Sequence, residues 1–580
     1  MLEKKRFLFF YFFIILLFSI IILRLVYLQI IKFEDYSLKS AKIRARVIPN
    51  IAPRGHIYDR YGRVLASSKP IFSAYILPVK LKDIDSTSAI IANILKKDKQ
   101  KIYNKIIRQK DKAFRPLLIS DYISFETISL IEEQSHRLPS FVVGARNIRS
   151  YNYDSLAAHI LGYIGEINEE ELCNNINEKY KLGDLIGRSG IEKQYESYLK
   201  GTNGGEQIEV DPYGNPIKVL SYIQPLPGNN VVLTLDLALQ KIAETALGKK
   251  KGAIVVMNPK NGDILALVSH PTFNPNIFTE PITEEQWDFL HQEDFHPLHN
   301  RALTAYPPGS IFKIVTAIAI LENNFKEKDD TFYCPGYFIL GRRKADCWKK
   351  HGKIDFFDGL VHSCDVVFYN MGLLAGPDLI FKTSKNLGLG TLTGVDLPGE
   401  TAGLLPSSKW KLKRLKEPWY PGDSINYAIG QGFLQTTPLQ MACFTSLVAN
   451  KGTMYKPHLL KEITTPEQKV IYYQQAAISK KVSLKKSTWD FIHRALTQVV
   501  ERGTGVASKI PGITIAGKTG TAEDPPREDP HAWFVSFAPV EDPQIVIVVF
   551  VEGGGHGGAV AAPIAKKIYK HYFSKRKKGS

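Results

Sequence analysis

The first thirty-one residues constrain this chain more than any other stretch of it. From Phe7 to Leu23 there are seventeen residues without a charge, and the apolar character resumes past Arg24 through Ile31. At 1.5 Å per residue that run spans ~25 Å, enough to cross a bilayer if long flanking side chains reach back to its surfaces. A cleaved signal peptide would instead carry an apolar stretch of about 7 to 15 residues followed by a small-residue site. No A-x-A pattern follows here, so a retained anchor is expected. Lys4, Lys5 and Arg6 precede the run. The bias of basic residues toward the cytoplasmic side then puts residues 1–6 inside the cell and the body of the chain outside.

At 580 residues that body exceeds what one core can fill, so at least two globular parts are expected. The formal net charge is +18, with a basic tail at Lys575-Arg-Lys-Lys578. A body outside the membrane with no helix-turn-helix, zinc-finger or RNP pattern argues against nucleic acid as a partner. Attraction to anionic lipids or wall polymers is the expected use of the charge, with solubility alone as the plain alternative.

Three short polar motifs lie far apart: Ser310-Ile-Phe-Lys313, Ser363-Cys-Asp365 and Lys518-Thr-Gly-Thr521. A serine hydroxyl is a poor nucleophile until a base takes its proton, and a lysine one helical turn later shares its helix face. The same spacing recurs at Ser197/Lys200, Ser408/Lys411, Ser483/Lys486 and Ser574/Lys577, but those pairs lie among charges. Ser310 follows the non-helical Tyr306-Pro-Pro-Gly309 and precedes the apolar run Ile314 to Leu321, so it reads as the start of a buried helix. Unpaired N–H groups at such a start suit a developing oxyanion, with the amides of Ser310 and Thr521 as the expected donors. Gly520 has no side chain and lets a substrate backbone approach, while the hydroxyls of Thr519 and Thr521 and the Lys518 ammonium can hold a terminal carboxylate.

Around these motifs the expected elements are a helix from Leu237 to Leu247 capped by Asp236 and a hairpin of Ala253–Val256 and Ile264–Val268 around Asn258-Pro-Lys-Asn-Gly262. Strands are expected at Ile513–Ala516, Trp533–Phe537 and Ile545–Val551, and a closing helix at Ala559–Phe573. Upstream of ~235 the chain is mixed and charged, with strand-like runs such as Ile71 to Pro78 and Phe141 to Val143, and Pro225 to Gly228 mark a boundary.

In order and spacing the three motifs resemble the set found in β-lactamases and penicillin-binding proteins. Pro53-Arg-Gly-His-Ile-Tyr-Asp-Arg60, Gly187-Arg-Ser-Gly-Ile-Glu192, Asn426-Tyr-Ala-Ile-Gly-Gln-Gly432 with Thr436-Thr-Pro-Leu-Gln440, and Gly553-Gly-Gly-His-Gly557 extend the resemblance over nearly the whole chain. They resemble class B penicillin-binding proteins, and within them the penicillin-binding protein 2 branch, which shares the Asp365 that stands where the general pattern has Asn. The resemblance implies a mixed α/β chain: a cytoplasmic tail (1–6), a transmembrane anchor (7–28), an elongated α+β pedestal of the dimerisation type (29–235) and a penicillin-recognising transpeptidase domain (236–575) with an antiparallel sheet between helices.

It also implies a peptidoglycan D,D-transpeptidase of cell-wall elongation and cell shape, single-pass in the bacterial cytoplasmic membrane. Ser310 would form an acyl-enzyme on D-Ala-D-Ala with a neutral Lys313 as base and Lys518 as the neighbouring cation. Ser363 would relay the proton and Asp365 would fix a lysine. Stem peptides are the substrates, β-lactams the inhibitors, and a SEDS-family glycan polymerase of the RodA type with elongation-complex proteins the partners; no cofactor is needed for the chemistry. A serine-type D,D-carboxypeptidase, which is a hydrolase, and a β-lactam-binding membrane sensor remain as alternatives.

Cys334, Cys347, His351 and Cys364 follow C-x12-C-x3-H-x12-C. Three thiolates and an imidazole suit a tetrahedral structural zinc, and some relatives carry zinc in this segment. A Cys334–Cys347 disulfide or free buried thiols are the other readings. Cys173 and Cys443 read as ordinary buried residues, and His556 as part of a glycine turn.

Overall fold

The structure is a computed structural model that describes residues 2–33, 36, 45–76, 81, 83–108, 117–120, 122–134, 140–174, 180, 184–210, 216–279, 282–292, 295–325 and 330–576. Pro78 and the side chains of Cys173 and Lys575–Lys578 lie outside this description. The N-terminal apolar run forms a helix, Leu2–Val26, followed by a π turn, Tyr27–Ile31. From Phe7 to Ile31 it is long and apolar enough to cross a membrane.

The chain divides into two compact units, and neither is continuous in sequence. The first comprises residues 1–54, 68–148 and 200–228. It holds a three-stranded antiparallel sheet in the order Ala45–Asn50, Gly204–Val210, Pro216–Ile223. In a separate core of this unit, the helices Ile84–Leu95 and Lys99–Arg108 pack through Ile91, Ile94, Ile102 and Ile106 onto Ile119 and Phe141. Asp83 caps the first of these helices through the amides of Asp85 and Ser86.

The second unit comprises residues 55–67, 149–199 and 229–580. Its elements are α1 (Leu237–Leu247), β1 (Gly252–Met257), β2 (Ile264–His270), α2 (Lys313–Glu322), α3 (Asp365–Asn386), α4 (Pro438–Ala449), α5 (Lys486–Glu501), β3 (Ala516–Ala522), β4 (His531–Ala538), β5 (Ile545–Val551) and α6 (Ala561–Arg576). The five strands form one antiparallel sheet in the order β2-β1-β5-β4-β3. Every residue of β1 and β5 is buried, because helices cover both faces and an unbroken apolar run is then tolerated. The period of two sorts the side chains. Ile254, Val256, Ile547 and Val549 pack with α1 and α6, whereas Val255, Met257, Val548 and Phe550 join the larger core under α2, α3, α4 and α5.

The Asp236 cap, the hairpin and the two C-terminal strands occur where the sequence places them. The run Ile513–Ala516 does not supply the third strand as expected. Ile513 pairs with Ile510 in a short turn, and β3 starts at Ala516, so Lys518–Thr521 lie on the edge strand itself. The closing helix begins at Ala561, since the amides of Ala559 and Val560 bond the His556 carbonyl in a turn; the His556 side chain is exposed. Cys443 is buried in α4.

Two of the outlying sequence motifs are structural. The Arg149 guanidinium, with no exposed side-chain surface, donates from Nε to Glu192 Oε1 (2.6 Å) and from a terminal nitrogen to the Gly55 carbonyl (2.7 Å). Asp59, equally buried, accepts from the amides of Tyr61 and Arg63 and closes the turn of the first motif. The Arg149–Gly55 bond joins residues 149–199 to residues 55–67, and the Leu237 amide donating to Asp59 Oδ2 (3.4 Å) and the Arg60 amide donating to Leu235 O (3.0 Å) tie them to the rest of the second unit. Removing one partner of a buried pair strands the other charge. Glu192→Ala should therefore lower the unfolding free energy by about 3–5 kcal/mol, read as a shift in the denaturant midpoint of the purified protein.

Candidate active site

Ser310 sits in a single 3-10 turn, Gly309–Phe312, that runs directly into α2. Gly309 has φ +57°, and a Cβ there would lie 2.4 Å from the Thr521 carbonyl oxygen, so only glycine lets the turn sit on β3. The fit is reciprocal. A Cβ on Gly520 would meet Pro308 O at 2.9 Å, Ile311 Cγ2 at 3.0 Å and Trp533 Cβ at 3.0 Å, while the Trp533 indole donates to Pro307 O at 2.9 Å. The open side of Gly520, expected to admit a substrate backbone, is occupied by the turn that holds Ser310.

Lys313 is fully buried as the first residue of α2. Its Nζ donates to Asp365 Oδ1 (2.7 Å), Ser363 O (2.9 Å) and Ser363 Oγ (3.2 Å), and lies 5.4 Å from the Phe368 ring centroid. Three acceptors thus surround the nitrogen, and the Ser310 hydroxyl is not among its partners. Ser363 takes φ +56°, an uncommon backbone state for a residue with a side chain. It presents both its carbonyl and its hydroxyl to the one amine. Asp365 then opens α3.

Lys518 is also fully buried, and its Nζ donates to Thr519 O at 3.1 Å. Burial, and then the charge of Lys313, hold this amine well below the usual lysine range, with Asp365 acting in the opposite sense. The sequence reading has a neutral Lys313 beside a cationic Lys518. The geometry instead pairs Lys313 with the carboxylate and puts the weight of desolvation on Lys518. Thr519 is turned away as well, its hydroxyl 2.5 Å from that of Thr504, whereas Thr521 is half-buried.

Behind Ser363 the ligand atoms of Cys334, Cys347, His351 and Cys364 all lie within 4.8 Å of one another. Cys334, Cys347 and His351 are brought there by two short strand pairs, Thr331–Cys334 with Gly352–Asp355 and Tyr337–Leu340 with Arg343–Asp346, and Cys364 by its place as the N-cap of α3. His351 Nδ1 is 3.5 Å from Cys334 Sγ and 3.6 Å from Cys347 Sγ, and both sulfurs are free thiols, not a disulfide. A hydrogen bond with Cys364 holds the Cys347 thiol down to about 5, and that bond together with burial pushes Cys364 up. The Asp365 amide, at the positive end of α3, donates to Cys347 Sγ at 3.3 Å. The donor set is thus soft, compact and partly ionised, which fits zinc.

One residue beside the site carries no motif. Trp348 is 57% exposed, yet its indole donates to the carbonyls of His362 and Ser363 (3.2 Å each) and its amide to Asp365 Oδ2 (3.4 Å). Its place directly after Cys347 was the only sign in the sequence.

The geometry has counterparts among known proteins. The family model for the penicillin-binding protein transpeptidase domain matches residues 252–570, and that for the penicillin-binding protein dimerisation domain matches residues 49–233. The chain belongs to the class B penicillin-binding proteins. It is 35% identical over 577 residues to the peptidoglycan D,D-transpeptidase MrdA of Acinetobacter baumannii, covering 96% of this chain and 85% of the relative. Among solved structures, the complex between penicillin-binding protein PBP2 and MreC from Helicobacter pylori superposes with a TM-score of 0.79 at 29% identity, over 91% of this chain and all (100%) of that one. A peptidoglycan synthase complex described as coordinating polymerization and crosslinking matches with a TM-score of 0.73 at 29% identity, over 98% of each chain.

The lone burial of Lys518 gives a stability prediction. An unfolded lysine keeps its proton up to about pH 10.4, and folded Lys518 releases it at lower pH, so wild-type stability rises with pH between the two. Lys518→Met should stabilise the fold by at least ~1 kcal/mol at neutral pH, and the gain should shrink as pH rises toward 10. Thermal unfolding of both proteins across that range checks it, together with a loss of acylation on the order of 100-fold.

Proposed function

We propose that this protein is a peptidoglycan D,D-transpeptidase of the elongation type, acting through an acyl-enzyme on Ser310. The observation that carries the reading is the single hydrogen-bonded group of Lys313, Ser363 and Asp365 at the foot of the helix that Ser310 begins, with the Ser310 turn seated on the Lys518–Thr521 strand.

Ser310 Oγ attacks the carbonyl of the penultimate D-alanine of a stem peptide, and its proton passes to Lys313 in the state of the lysine pair in which Lys518 carries the proton and Lys313 is the free amine. Ser363, already bonded to Lys313, passes a proton on to the departing D-alanine. The C–N bond breaks, an ester to Ser310 remains, and an amine of a second stem peptide attacks it, restoring the serine and forming the cross-link. Asp365 keeps Lys313 in place, and the amides of Ser310 and Thr521 receive the oxyanion. A β-lactam follows the first half of this course and stops at the ester. Release by water instead of an amine would make the same site a carboxypeptidase.

The N-terminal helix serves as a single-pass anchor with residues 1–6 in the cytoplasm, in line with Lys4, Lys5 and Arg6. The two solved complexes support partners of the MreC and glycan-polymerase kinds for this chain too.

A zinc held by Cys334, Cys347, His351 and Cys364 would cross-link the two strand pairs to the start of α3, a structural and not a chemical contribution. Purified protein should carry close to one zinc per chain, and a content below about 0.2 would remove the site. Cys334→Ser should release it.

Incubation with a fluorescent penicillin tests the main reading. Wild-type protein should label covalently and Ser310→Ala should not; labelling that survives in the variant, or wild-type protein that never labels, would overturn it.

A further inference from the structure

The segment Asn426–Gly432, which the chemistry above leaves without a task, joins the two halves of the site. Gly430 O accepts from the Gly309 amide (2.9 Å), one residue before the nucleophile. Six residues on, Thr436 exchanges both backbone bonds with Tyr306 (2.9 Å each). The segment therefore follows the turn that carries Ser310 from Tyr306 to Gly309. Between these contacts stands Gln431, its own amide bonded to Asn426 O (2.9 Å) at the end of the helix Pro421–Ala428. With its carboxamide oriented to match its neighbours, the Gln431 nitrogen donates to Glu523 O and its oxygen accepts from Glu523 N, both at 3.2 Å.

Glu523 is the first residue past β3 and two beyond Thr521. Gln431 takes both of its backbone groups, as a neighbouring strand would. Residues two apart on an extended chain offer their amides to the same edge, so the side chain grips the edge that carries the Thr521 amide. Among the described residues, no other side chain bonds to the backbone of Glu523. The circuit is closed on three sides: the nucleophile turn rests on Gly520, the 430–436 segment bonds the nucleophile turn, and Gln431 bonds the exit of β3.

We propose that Gln431 is a positioning residue for acyl transfer, fixing the Thr521 amide at its distance from Ser310 by holding the end of the edge strand. This rests on the reading of Ser310 as nucleophile and of the Thr521 amide as an oxyanion donor. The Ser310 and Thr521 amides converge on the point where negative charge develops, so the side chain acts on the covalent step and not on first binding of the acyl donor.

The experiment measures the covalent rate constant and the non-covalent dissociation constant for a fluorescent penicillin on the full chain, in wild type, Gln431→Ala and Gln431→Glu. Because a small misplacement of reacting groups costs on the order of 10- to 100-fold in rate, the covalent constant should fall at least ~10-fold in both variants at neutral pH. The dissociation constant should stay within about twofold, since the group acts on the transition state alone. Gln431→Glu keeps the shape of the side chain, so it serves if Gln431→Ala fails to fold. It also reports the mechanism. Its carboxylate can accept from Glu523 N but cannot donate to Glu523 O until it is protonated. Its rate relative to wild type should therefore climb as the pH falls toward the carboxyl range.

An unchanged covalent constant, a loss confined to the dissociation constant, or a variant-to-wild-type ratio that ignores pH would each overturn the proposal. Ser310→Ala is run alongside; if it still labels, the acyl-enzyme reading fails, and that failure is separate from any result at Gln431.

Discussion

One buried lysine organises the second unit's site. Lys313 has no contact with solvent, and a charge in that position costs several kcal/mol unless it is fully paired. Its three bonds to Ser363 and Asp365 offset that cost and, in doing so, fasten the first residue of one helix to the first residue of another. The pairing is also exclusive. Asp365 gives its Oδ1 to Lys313, and Lys518, equally enclosed, is left with a single backbone carbonyl. Two amines and one carboxylate in a dry pocket settle most readily with one proton fewer than full charge.

The cysteine cluster acts on the same junction from behind. Cys364 separates Ser363 from Asp365 in sequence and points its sulfur into the cluster, while the Asp365 amide reaches back to Cys347. Trp348 adds bonds to the Ser363 carbonyl and to the second oxygen of Asp365. The two residues that hold Lys313 are thereby anchored on the side away from it.

Much of this was readable from the sequence. The three motifs named the residues that meet, since their chemistry needs specific side chains at short helical spacing, and the Asp236 cap, the hairpin and the apolar strands β4 and β5 carry strong local patterns. What was hidden depends on tertiary contact. Gly520 looks permissive in a tripeptide, and only the fold shows Pro308 and Ile311 filling its open side. Two lysines look alike in a sequence; the difference between them is that one faces a carboxylate. The strand β3 was misplaced because Lys518, Thr519 and Gly520 lack the apolar signature of a strand, being held there by pairing with β4. Gln431 and Trp348 act through backbone groups, which no side-chain pattern reveals.

The second unit also draws on two stretches of chain, 55–67 and 149–199, that precede its main body. Arg149 and Glu192 meet in its interior beside Gly55, and Leu199, Ile160 and Ile57 belong to the same apolar core as Ile314 and Phe444. A fragment cut at the start of the matched transpeptidase region would thus expose a raw hydrophobic wall. Any truncated version prepared for crystallisation or inhibitor screening has to carry those two early loops along, or supply a substitute for them.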